Sequence, residues 1–182
     1  MRGRKKLVEA HVEAFLSDAC PLIRRFYKKV AEAAMGRPIL DIPCGSGRNA
    51  FPLAALGCTV ICADNDLTRL HSPNRLASRL IPQQLDLIAD AWPFKRASAG
   101  GIVNVHFLLL PLFLHFENSL ARGSYLLLET VPGRGGNYLQ LPKAGELRSL
   151  LKGSFELEFY KEIKTGPQGC DAVAVRLLAR RL

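Results

Sequence analysis

Three carboxylates and a glycine turn carry the chemistry open to this sequence. Asp41 stands in a short apolar run with Ile39, Leu40 and Ile42, and a turn with Gly45 and Gly47 follows. A second β-rich run, residues 59–62, leads into Asp64-Asn65-Asp66, and a third, residues 83–88, carries Asp86 near its end. Glycine has no Cβ, so its backbone can approach a ligand closely. A helix start behind such a turn presents unpaired N–H groups and the positive end of a dipole. A carboxylate at the tip of the next strand can accept two hydrogen bonds from a ribose diol. Asn104 and His106 alternate in the apolar stretch GIVNVHF, so they share one face near a strand end, within reach of a ligand bound there. His106 reads equally well as a core histidine bonded to backbone.

The elements that must position these groups are a strand ending near Asp41, the glycine turn, a helix over residues 49–56 and a strand ending at Asp64. That order is one nucleotide-binding half of a parallel α/β sheet, in which ligands lie beyond the carboxyl ends of the strands. Gly45 to Ala50 formally satisfies the dinucleotide fingerprint G-x-G-x-x-A, a weak signal alone. Asp41, four residues before Gly45, argues against a pyrophosphate, and three acids on one rim suit a cationic ligand. S-adenosylmethionine carries an α-ammonium and a sulfonium and no phosphate, so it fits that electrostatic pattern.

Asp41-Ile42-Pro43-Cys44-Gly45-Ser46-Gly47 resembles the D-x-G-x-G-x-G first motif of class I S-adenosylmethionine-dependent methyltransferases, with Pro43 in place of the first glycine. Residues 101–107 resemble that family's fourth-strand motif and residues 125–130 its fifth strand. Gly47-Arg48-Asn49, Glu129-Thr130 and residues 137–147 are further similar to its small tellurite-resistance-type branch. The resemblance covers about residues 37–180. It implies a cofactor held at the turn by Asp41, Pro43, Gly45, Gly47, Arg48 and Asn49, and at the ribose by Asp64 and Asn65. It puts the adenine at Asp86 and Leu87, with Asp90 competing for Asp86's role. Asn104 and His106 would stand near the methyl-transfer centre, with Asn104 also touching the cofactor. Arg48 reads equally as substrate-facing or solvated, and Trp92 as packed on adenine or closing the core.

At 182 residues with 48% hydrophobic and 23% charged content, the chain predicts one ordinary globular domain. No apolar stretch is long enough to span a bilayer, and the amino terminus lacks a signal-peptide core, so a cytoplasmic protein is expected. The five cysteines, an odd number without a C-x-x-C pair, read as reduced thiols, Cys44 being the one exposed to ligand chemistry. No metal site is expected. The net charge is +9, and residues 1–37 supply more than half of it, with nine Lys/Arg against four acids. Such a face can steer anions or bind nucleic acid weakly.

Residues 1–36 read as an N-terminal helical segment packing on the cofactor mouth. It holds one helix over about residues 7–17 and a second capped by Asp18 with Pro21 in its first turn and Gly36 ending it. Phe26 and Tyr27 are lid candidates or core residues. Residues 37–182 read as the methyltransferase domain. A helix broken at Ser72-Pro73 should follow Asp66, a turn is expected at residues 122–124, and a glycine-rich loop at 131–138 precedes a helix at 143–151. Residues 155–163 and 171–179 alternate as a terminal hairpin. The expected fold is a single Rossmann-like, doubly wound seven-stranded sheet, mostly parallel, with an antiparallel C-terminal hairpin and helices on both faces. The expected function is methyl transfer to a small-molecule or oxyanion acceptor by a monomer or homodimer. The alternatives are an RNA methyltransferase and a nicotinamide-dependent oxidoreductase. Asn104-Val105-His106-Phe107 stands where base amine methyltransferases carry N-P-P-Y or D-P-P-Y.

Overall fold

In a computed structural model the chain is described at residues 12–133 and 135–182. Residues 12–16 are helical, and the remainder of the helix expected from residue 7 lies outside the described residues.

Helix α1 (Pro21–Ala33) starts where proline fixes φ and needs no N–H partner. Its cap is Cys20, whose Sγ accepts a hydrogen bond from Ile23 N–H at 3.5 Å, not Asp18 as the sequence suggests. Proline at the first position ties the cap to the residue just before it. After the helix, Met35 and Gly36 take positive φ and turn the chain into strand β1 (Ile39–Asp41).

The βαβ unit continues with α2 (Ala50–Ala55) and β2 (Val60–Asp64), so Asp64 is the last strand residue. Between β2 and β3 (Leu80–Gln84) the chain forms two 3-10 turns, Leu67–Arg69 and Asn74–Arg79, in place of a broken α-helix. β3 lies three residues earlier than the expected 83–88 and contains Pro82. A proline argues against a central strand, but β3 is at the sheet edge, where the missing N–H is tolerated.

β4 (Ala99–Val105) is followed by α3 (Leu112–Ser119) and β5 (Leu120–Glu129). The expected turn at residues 122–124 is instead an irregularity inside β5, where pairing steps from Ala99–Leu120 to Gly101–Tyr125 and Gly123 takes φ +82°. Helix α4 (Glu146–Leu151) starts after Gly145 at φ +76°, a left-handed residue that shortens the helix expected from 143. β6 (Phe155–Lys164) and β7 (Val173–Arg181) form the hairpin.

The strand order is β3-β2-β1-β4-β5-β7-β6, parallel from β3 to β5 and antiparallel at β7. Both faces are covered. Helices α1 and α2 pack on Ile39, Val60, Val103, Tyr125, Leu127 and Leu178. Helices α3 and α4 pack on Leu40, Ile42, Ile102, Leu126, Leu128 and Leu177 on the other side. The parity change between neighbours reflects the two-residue period of a strand, and a continuous apolar run such as Leu126-Leu127-Leu128 suits a sheet buried on both faces. Each fully buried leucine there contributes about 1.5–3 kcal/mol. Helix α1 crosses β4 at Gly100, where a Cβ would lie 2.7 Å from the Ala34 backbone. Only glycine permits that approach.

Candidate active site

At the carboxyl ends of β1, β2 and β4 the chain leaves a cavity of about 460 Å³, a size common for small-molecule sites. The glycine turn forms its floor. Asp64 Oδ2 accepts a hydrogen bond from Gly45 N–H at 2.7 Å, and Oδ1 accepts one from Asp66 N–H at 3.1 Å. The carboxylate thus pins the turn and still has lone pairs for a diol. Cys44 N–H donates to Ala63 O at 2.9 Å, tying the turn to β2. Gly45 has φ +52° and open space where a side chain would be, so bare backbone faces the cavity.

Pro43, Gly45, Arg48, Asn49, Asp64 and Asn65 line this cavity, as do Asp86, Leu87 and His106. Asp86 sits two residues past β3, where Oδ1 takes the N–H groups of Ile88 and Ala89 at 2.8 and 3.2 Å. Asp90 lines the neighbouring cavity and accepts Asp86 N–H at 2.8 Å, so it shapes the loop that presents Asp86.

Three of the expected residues stand outside the lining. Gly47 turns inward, with the position of its absent Cβ crowded by Phe51 and Leu70. Asn104 is buried and donates from Nδ2 to Ile42 O at 2.7 Å, bracing β4 against the loop leaving β1. Asp41 is fully buried, and neither carboxylate oxygen has a hydrogen-bond partner among the described residues. Burial raises its pKa well above the carboxylate range, with Cys44 and Asp64 adding to the rise, while the Ala50 N–H and Arg48 oppose it. The rim of three acids expected from the sequence is therefore reduced to Asp64 and Asp86 lining the cavity, with Asp41 buried beneath them.

His106 departs from the shared face expected with Asn104. β4 ends at Val105, and His106 takes φ +62°, which turns its side chain out of the strand alternation to the cavity mouth. Its N–H donates to Glu129 O at 2.7 Å. Burial and the cations Arg48 and Arg176 lower its pKa, with Glu129 opposing them, so the imidazole is neutral at pH 7.

The segment before α1 lies against the turn. Asn49 Oδ1 accepts Cys20 N–H at 2.9 Å, and Arg48 donates from one guanidinium nitrogen to Asp18 O at 3.4 Å. Phe26 and Tyr27 are absent from the lining, and Phe26 packs on Phe159 with ring centroids 5.6 Å apart. Trp92 closes the core, stacking on His115 at 5.2 Å and donating to Ser119 Oγ at 2.7 Å. Arg69, Ile88 and Phe107 also line the cavity and are not evident from sequence. Arg69 carries the clearest missed signal, a cation five residues past Asp64 on the short turn Leu67–Arg69. Among the described residues there is no cluster of three or more side chains arranged to hold a metal ion.

No protein-family model matches this chain, and no curated protein matches it by sequence. Solved structures do. A geranyl diphosphate methyltransferase solved in complex with S-adenosylmethionine is 12% identical, with 86% of this chain and 84% of that one covered at a TM-score of 0.64. TehB from Haemophilus influenzae is 19% identical over 85% of this chain and 62% of that one, with a TM-score of 0.59. The [4+2]-cyclase SpnF is 16% identical over 86% and 80%, with a TM-score of 0.61. The fold is that of the class I methyltransferases. The methyltransferase fold also carries an enzyme named as a cyclase, so the reaction has to be argued from the site.

Proposed function

We propose that this chain is an S-adenosylmethionine-dependent methyltransferase with a small-molecule acceptor. The observation that carries the reading is the Asp64–Gly45 hydrogen bond at 2.7 Å, which sets a carboxylate and bare backbone side by side in the cavity floor. Asp64 and Asn65 take the ribose, Asp86 and Leu87 the adenine, and Pro43 and Gly45 the amino-acid end. Gly47 and Asn104 act from below by fixing the shape of the turn, and Asp41 lies buried beneath it. Two acids against the cations Arg48 and Arg69 leave this cavity without the excess positive charge that a pyrophosphate needs. The bound cofactor supplies an electrophilic methyl group on a sulfonium. The protein has chiefly to align an acceptor with it, since an in-line displacement gains most from fixed geometry. His106 and Arg48 occupy the part of the lining left for the acceptor. A tellurite-type oxyanion, as in the branch the sequence resembles, and a small hydroxyl or amine compound are both of the required size, and the acid–base groups beside the cavity decide between them.

Isothermal calorimetry with S-adenosylhomocysteine tests the reading. Binding in the micromolar range that weakens in Asp64→Ala is the expected result. No heat at high micromolar ligand, together with fluorescence quenching by NADH, would transfer the site to a nicotinamide cofactor. A cytoplasmic location belongs to the same proposal. No described helix is long and apolar enough to cross a membrane.

A further inference from the structure

Glu129 ends β5 in register with Val105, the residue before His106, and both Val105 and His106 line the cavity. It is 4% exposed, and Oε1 is held by Arg176 Nε at 3.0 Å and by a second guanidinium nitrogen at 2.8 Å. Oε2 is buried and has no hydrogen-bond partner among the described residues. A buried carboxylate oxygen without a donor is unfavourable, so Oε2 is the acceptor this site leaves open. The backbone already brings one near. His106 N–H donates to Glu129 O at 2.7 Å, so the imidazole starts from the residue that Glu129 itself holds. The groups around that imidazole are Arg48 from the turn after β1, Arg176 from β7 and Glu129 from β5. The Cys20 thiol at the start of α1 lies near Arg48 and Glu129, with its pKa pushed up to about 11 chiefly by burial, and so it is neutral and holds no charge against the pair.

Resting on the methyltransferase reading, we infer that Glu129 is a positioning residue that accepts the imidazole N–H of His106 at Oε2, leaving the second ring nitrogen to take a proton from the acceptor. This names the acceptor class: a small hydroxyl or amine compound that keeps its proton at neutral pH, not a thiolate or a metalloid oxyanion. The acceptor's X–H proton passes to the free nitrogen of His106. The new X–C bond forms as the C–S bond breaks and leaves its electron pair on sulfur. The products are methylated acceptor, a neutral thioether and an imidazolium that Glu129 stabilises. A base is needed only for an acceptor whose own pKa is too high, which is why the pair selects for that class.

The test is NMR of histidine-labelled protein, free and saturated with S-adenosylhomocysteine, with the His106 signals assigned through His106→Gln. In the wild type, neutral His106 should be one tautomer. Glu129→Gln should mix the tautomers and lower the His106 pKa, because the carboxylate favours the charged ring. Glu129→Asp should restore the single tautomer. Arg176→Gln keeps the carboxylate and removes a cation, so it should raise the pKa and keep the tautomer, and it decides the same question if Glu129→Gln does not fold. An unchanged tautomer and pKa in Glu129→Gln, or mixed tautomers in Arg176→Gln, would overturn the inference. Calorimetry separates the two readings, since Glu129 lies off the cofactor lining: loss of S-adenosylhomocysteine binding in the wild type sinks the methyltransferase, whereas equal binding in wild type and Glu129→Gln with unchanged His106 signals sinks only the pair.

Discussion

Asn49 Oδ1 accepts the backbone N–H of Cys20 at 2.9 Å, joining residues 29 apart in sequence. The bond is buried, and it fastens the start of α1 to the helix that follows the glycine turn. Arg48 adds a weaker contact to Asp18 O. Two side chains expected to serve the cofactor thus also hold the segment that borders it.

Removing that bond leaves the Cys20 N–H buried and unpaired. Asn49→Ala should destabilise the protein by about 1–3 kcal/mol. Amide exchange should quicken at residues 18–24 with little change in β5. Denaturant melts and exchange mass spectrometry measure the two parts separately, and uniform loss of protection would contradict the local account.

Asp64 anchors Gly45 and faces the cavity, so its loss should be felt in ligand affinity. Hydrogen bonds to charged groups contribute about 1.5–3 kcal/mol each. Asp64→Asn should therefore weaken S-adenosylhomocysteine by about ten- to a hundredfold, with about 1.4 kcal/mol for each factor of ten. Asp90→Asn should reach less far, because Asp90 acts only on the loop that presents Asp86.

Asp41 has a folded pKa raised above the ordinary carboxylate value of 3.8 by burial. A group raised in this way favours the fold fully at pH below its unfolded pKa, and that contribution is lost as pH rises through the folded pKa. Asp41→Asn removes the titration. The variant should gain stability relative to the wild type at pH 8, and the gap should close toward pH 4. Thermal melts at the two pH values check it; a gap that widens on acidification would show that Asp41 is charged in the fold.

Phe116 is 1% exposed and joins Trp92 and Phe113 in the core beneath the sheet. Truncation of a buried phenylalanine typically destabilises by about 3–5 kcal/mol, so Phe116→Ala should lower stability by that amount. Urea unfolding gives the value. Cofactor affinity per folded molecule should be unchanged, because Phe116 is on the face away from α2.

Much of this architecture is legible in the sequence because its local signals agree. The turn after Asp41, the alternation in β6 and β7 and the acid ending β2 each follow from period and punctuation. The departures have separate causes. Pro82 hides β3, since its tolerance depends on which strand lies at the edge, and only the assembled sheet tells that. The sequence suggests a charged Asp41 because burial of a carboxylate is invisible until the helix packs over it. The left-handed turn at His106 breaks a strand alternation that its neighbours in sequence would continue. The Asn49–Cys20 bond and the free oxygen of Glu129 are products of tertiary packing and have no local pattern.

Pro82 also bears on how copies of this chain can meet. An outer strand with every amide in place offers a template on which a second molecule can lengthen the ladder. Here the template is missing a rung: a ring nitrogen with no hydrogen stands in the middle of β3. Growth of the sheet from molecule to molecule is interrupted along that border, so a homodimer that extends the ladder would have to do so at the opposite edge, along β6.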